Sequence, residues 1–207
     1  MNFRNVGNRV AVDFDFFNLQ ISNKEALEIL KDQKIRHIDV DICEIAKKLV
    51  GIAQWRWASR QWEAPHYFDC SALTKWVYGQ MGIWLPRRPQ QQFEHCEEHG
   101  EIIKLEDSQC GDLLFFSSHT RNGKRVGLHE GNGHVCMLVE KNRVICALKS
   151  ESVKGIYNIA LEDMLAARKL QAVGRVCNYH SLTTLLVPPD REIESSDDIK
   201  HVILQCL

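Results

Sequence analysis

The 207-residue sequence predicts an α+β domain, because helical periods occupy the chain up to Gly82 and strand-like apolar runs dominate from Asp112 onward. Helices first and strands later speak against a doubly wound parallel sheet, in which the two would alternate. A compact polar "EKN" between two β-branched runs adds a hairpin, the mark of antiparallel pairing.

In "SNKEALEILKDQ", Ser22 and Glu25 stand in capping-box spacing and predict a helix from about residue 23. A second helix begins near Asp41 and places Ile42, Ile45, Ala46, Leu49 and Val50 on one face. "GIAQWRWASRQWEAPHYF" has no sustained period; its Trp55, Trp57 and Trp62 either line a ligand groove or cover the edge of the core. A helix over 70–81 follows, with Leu73, Trp76 and Val77 inward and Gly82 as its left-handed C-terminal cap. "DLLFFSS", "HVCMLVE", "RVICALK" and "AVGRVCNY" read as four strands, and "LEDMLAARKL" as a short interposed helix. The polar, glycine-rich segment 117–133 reads as an exposed loop, and the acidic segment 190–198 as a solvated linker.

With 44% hydrophobic residues, 26% charged residues and a net charge of -1, the chain has an ordinary globular composition and no broad attraction for nucleic acid or anionic membrane. The eight cysteines are scattered rather than packed into a small scaffold, so reduced thiols are expected. "MNFRNVGNRVAVDFDFFNLQ" shows neither a signal peptide nor a membrane-spanning run, which points to a cytoplasmic protein with non-classical export still open. One domain at 41–180 with extensions 1–40 and 181–207 is the expected organisation.

Chemistry converges on "HYFDCSALTKWVYGQMG". Cys70 falls in a first helical turn, where free amide ends stabilise a thiolate and donate to a developing oxyanion. Such a thiol needs an imidazole, and His134 heads a strand, a rigid mount. Metal chemistry competes poorly: no two cysteines form a C-x2-C or C-x4-C pair, and "HCEEH" is a helical histidine pair without the HExxH arrangement. Neither a metal nor another cofactor is expected.

These segments, in this order, resemble the NlpC-type family of papain-like cell-wall cysteine peptidases. "FDCSALTKWVYGQMGIWLPRRPQQQ", "CGDLLFF", "GHVCMLVEKNRVICAL" and "GRV" carry the resemblance, over roughly Asp41 to Cys177. It implies a papain-like fold, with Cys70 as nucleophile and His134 as its base. It places Asp69 and Ser71 where they meet the amino end of a peptide, and gives Trp55 or Trp57 the role of the family's loop tyrosine. Arg87 or Arg88 of "PRRP" is either a ligand for a substrate carboxylate or a structural arginine. The family's third polar residue, commonly histidine, orients the catalytic imidazole; here that position is Cys146, a weak partner for the task. The substrate implied is a peptidoglycan stem peptide or muropeptide, cut at a D-glutamyl amide. Two alternatives stand beside this reading: a cysteine deamidase, acyltransferase or effector acting on protein or lipid, and a catalytically silent peptide-binding module.

Overall fold

The Glu25 amide donates to Ser22 Oγ while the Glu25 carboxylate accepts from the Ser22 amide, so the capping box closes and a helix starts where the sequence puts it. The computed structural model describes residues 2–119, 125–126, 133–149 and 154–207. In chain order the first elements are β1 (Arg9–Val12), α1 (Phe14–Phe17), α2 (Asn23–Asp32), β2 (Arg36–Ile38), α3 (Ile42–Lys48), β3 (Gln54–Trp55), β4 (Tyr67–Phe68), α4 (Cys70–Gln80) and α5 (Pro89–His99). There follow β5 (Glu101–Ile103), β6 (Leu113–Phe116), β7 (Ser118–His119), β8 (Arg125–Val126), β9 (His134–Glu140), β10 (Arg143–Lys149) and β11 (Lys154–Ala160). The last are α6 (Leu161–Ala167), β12 (Leu170–Arg175), β13 (Thr183–Leu186) and α7 (Ser196–Leu204).

The elements form two compact units, one of Met1–Asp41, Tyr78–Trp84 and Asn178–Leu207, the other of Ile42–Val77 and Leu85–Cys177. In the first, β13 is the middle strand of a β1-β13-β2 sheet, and Val10, Phe17, Leu30, Ile35, Leu185, Ile199 and Ile203 fill the core. Gly82 has φ +82°, and a Cβ there would lie 2.7 Å from the backbone of Val10 and Ala11, so both its conformation and its neighbours exclude a side chain. Segment 190–198 is not the solvated linker expected: Ile193 is buried, and the Asp198 carboxylate accepts from the Glu194 and Ser195 amides to cap α7.

The second unit is built on a six-stranded antiparallel sheet of order β11-β10-β9-β6-β12-β5. The four strands expected are β6, β9, β10 and β12, and the "EKN" turn joins β9 to β10. The edge strands β11 and β5, and the helix α5, are additions the sequence did not announce. Leu114, Phe116, Cys136, Leu138, Val144 and Cys146 pack with Met164 of α6 in one core. Asp112, just before β6, takes Arg175 at the end of β12 in a two-pronged pair at 3.0 and 2.9 Å, which locks the sheet's register. The tryptophan-rich segment contains a short parallel pairing, Gln54 with Tyr67 and Trp55 with Phe68. Segment 117–133 includes the β7-β8 pair; its residues 120–124 and 127–132 lie outside the described residues. Among the described residues no helix is long and apolar enough to cross a membrane.

Candidate active site

Asp69 Oδ1 accepts the Ala72 amide at 2.9 Å, which makes Asp69 the N-cap of α4 and Cys70 its first residue. The Arg87 guanidinium grips both carboxylate oxygens of Asp69, and donates to Ser71 Oγ at 3.0 Å and to the Ser59 carbonyl at 2.9 Å. The carboxylate Arg87 binds is the protein's own, which favours the structural of the two roles the sequence left open. Asp69 and Ser71 border the site, but both are buried and held by Arg87.

Burial pushes the Cys70 thiol up to about 11. The Val135 amide, bonded to the sulfur, opposes that; the Asp69 carboxylate raises it further, while the Ser71 amide and Arg87 lower it. The first-turn amides thus act as the sequence suggests, but desolvation outweighs them. His134 begins β9 and is only 7% exposed. Burial drives its ring down to about 3, and the charge of Arg168 adds in the same direction. Both shifts favour the uncharged forms of the thiol and the imidazole.

His134 Nε2 lies 3.3 Å from Cys136 Sγ, and Cys136 is joined by a disulfide to Cys146. This corrects the expectation of reduced thiols at that pair, and the role given to a free Cys146: the sulfur beside the ring is that of Cys136. The two cysteines are ten residues apart in sequence and face each other across β9 and β10, with Cα atoms 4.8 Å apart. Cysteine spacing alone does not reveal that pairing; the hairpin register does.

Cys70 and His134 line one cleft of about 730 Å³. Trp55, Trp57 and Trp62 line it too, which favours the groove reading of these indoles; Trp62 is 81% exposed. Trp55 and Trp57 stack obliquely at 6.5 Å, and the Lys149 ammonium sits 5.2 Å over Trp55. Arg60, Arg88, Lys149 and Arg168 supply further positive charge, while Asp69, engaged by Arg87, is the acid among the lining residues. Arg168 is the functional candidate that sequence reasoning missed. It follows α6 as a basic residue at a helix C-terminus, the ordinary place for one, and only the fold brings it to the cleft.

The histidine pair of "HCEEH" stacks edge to face at 4.9 Å along α5, apart from the cleft-lining residues. His134, Cys136 and Cys146 bring their ligand atoms within 4.8 Å, but the S–S bond leaves no thiolate pair there to hold a metal.

A cysteine opening a helix, set in one cleft with a histidine opening a sheet strand, is the arrangement a papain-like thiol site would have on an α+β fold. The NlpC/P60 family model matches residues 53–172, more than half of the chain, and the chain belongs to that family. It is 40% identical over 73 residues to the bifunctional muramidase/DL-endopeptidase CwlT of Bacillus subtilis, covering 33% of this chain and 20% of that protein. It is 30% identical over 115 residues to the gamma-DL-glutamyl hydrolase of the same species, covering 55% of this chain and 26% of that protein. The chain thus spans about a quarter or less of either relative. Among solved structures, an NlpC/P60 family protein of Bacillus cereus superposes with a TM-score of 0.51 at 24% identity, over 66% of this chain and 39% of that one. At that identity the likeness speaks to the fold.

Proposed function

We propose that the protein is a thiol amidohydrolase or endopeptidase that cleaves a D-glutamyl amide in peptidoglycan-derived stem peptides through an acyl-enzyme on Cys70. The observation that carries this reading is Cys70 at the first turn of α4, its sulfur bonded by the Val135 and Ser71 amides, in one cleft with His134. Because burial favours the uncharged form of each group, His134 acts as a general base during attack rather than as half of a standing ion pair. Cys70 Sγ adds to the carbonyl carbon as its proton passes to the imidazole; the imidazolium then protonates the leaving amine as the C–N bond breaks. Water, deprotonated by His134, attacks the thioester, and the thiol leaves with a proton. The excess of cations along the cleft suits a substrate rich in carboxylates, as stem peptides are. The glutamyl hydrolase and DL-endopeptidase relatives support the bond chosen.

Stem peptides incubated with the protein should yield D-glutamyl cleavage products by mass spectrometry. Cys70→Ala should abolish turnover while keeping the melting temperature within a few degrees. Cleavage by Cys70→Ala at the normal rate would refute the mechanism, and activity confined to protein or lipid substrates would refute the substrate.

A further inference from the structure

A neutral imidazole carries one N–H and one lone pair, and the partner of one nitrogen decides which nitrogen is left to act as base. At His134, Nε2 lies 3.3 Å from Cys136 Sγ, a normal distance for a hydrogen bond to sulfur. In a cystine that sulfur has no proton, so it can only accept. As a hydrogen bond, this contact puts the hydrogen on Nε2 and leaves the lone pair on Nδ1. Both sulfurs belong to fully buried residues and bridge two adjacent strands, so the acceptor cannot rotate away as a surface side chain would. Phe116, its ring centroid 6.4 Å from that of His134, adds an apolar neighbour on the same sheet face.

We propose that the Cys136–Cys146 cystine is the positioning group of His134: it accepts a hydrogen bond from Nε2–H and reserves Nδ1 as the base for the Cys70 proton. The inference rests on Cys70 and His134 being the catalytic pair. It replaces the single polar side chain expected at Cys146 with a covalent pair whose contact with the ring is made through Cys136. The burial that keeps the ring uncharged is consistent with this, since an imidazolium would have no tautomer to fix. Reduction removes the device. A dithiol reductant supplies two electrons and two protons, the S–S bond breaks, Cys136 and Cys146 each become a thiol, and the reductant becomes its own disulfide. A Cys136 thiol can donate its proton to Nε2, which favours the opposite tautomer and takes the lone pair away from Nδ1.

The test follows the tautomer and the rate separately. In protein labelled with 15N-histidine, the long-range proton–nitrogen spectrum at neutral pH should show a protonated Nε2 and an unprotonated Nδ1 for His134 in the oxidised protein. Protein refolded with the cystine reduced should show a mixture or the reverse. The paired substitution Cys136→Ala with Cys146→Ala should lower kcat by about 10- to 100-fold at nearly unchanged KM, the range expected for a disordered general base. Cys136→Ala with Cys146→Asn, which offers an amide oxygen as acceptor, should recover at least part of that loss. An oxidised and a reduced protein with the same His134 tautomer would overturn the proposal even if the alanine pair failed to fold. So would an alanine pair with wild-type kcat and pH profile, which would leave the cystine a structural strut. If instead Cys70→Ala cleaved stem peptides normally, the catalytic reading would fall while the tautomer result stood.

Discussion

His134 is a buried imidazole held neutral, and that has a cost in acid. Its ring titrates near 3 in the folded protein against 6.5 when unperturbed, mainly through burial and secondarily through Arg168. Between those values the unfolded chain binds a proton that the native state refuses. The contribution to stability is therefore intact above 6.5 and is lost as pH falls from 6.5 toward 3, with a slope approaching about 1.4 kcal/mol per pH unit from this one site. Melting temperature measured against pH should show that fall, and His134→Gln should flatten it. Arg168→Gln should narrow the window from its lower end, because removing a like charge raises the folded ring's pKa, while burial still keeps it below the unfolded value. Equal acid sensitivity in wild type and His134→Gln would sink this account. Arg168 also shows why part of the site was illegible in the sequence: its two neighbours in charge, Cys70 and His134, lie 98 and 34 positions away in the chain, and no local pattern connects them.

At the scale of elements, α4 depends on its first turn. Asp69 caps the Ala72 amide and anchors Arg87, which in turn holds Ser71 and the Ser59 carbonyl. Asp69→Asn keeps the capping oxygen but loses the charge, whereas Asp69→Ala loses both and leaves a half-buried guanidinium without its carboxylate. Loss of the cap alone costs about 1 kcal/mol, so urea midpoints should fall in the order wild type, Asn, Ala, and an Ala variant as stable as Asn would contradict the capping role. This turn was readable because helix-start chemistry is local: acid, cysteine and hydroxyl sit directly ahead of the period set by Leu73 and Val77. The hairpin β9-β10 was readable because its apolar runs flank a short polar turn. By contrast α5 opens with Pro89 and three glutamines and buries only Pro89, Gln92, Phe93 and Cys96, so it has no wide apolar stripe to betray it. The edge strand β5 spans three residues with its first two exposed, too short for a period-two signal.

Over the whole molecule, the largest departure concerns the two ends of the chain. Hydropathy shows that each end carries apolar residues, but not that they share a core, because contacts between residues near 10, 30, 185 and 200 have no signature in a linear window. In the first unit the C-terminal segment supplies the middle strand: β13 pairs Val10 with Leu185 on one side and Leu185 with His37 on the other. It also supplies α7, whose Ile199 and Ile203 are fully buried beside Leu30 and Val10. Removing residues 181–207 as though they were a dispensable tail would leave β1 and β2 with no strand between them and expose the apolar faces of Val10, Val12 and Leu30. Each large core side chain so exposed forfeits about 1.5–3 kcal/mol, so the three together are comparable with the whole stability of an ordinary domain. The truncated protein should therefore lose hydrogen-exchange protection at Val10 and Val12, whose amides face β13, and become susceptible to proteolysis within residues 1–41. Protection retained at those amides would mean that β1 is held by something other than β13, and the assignment of the C-terminal segment to the centre of that sheet would have to be abandoned.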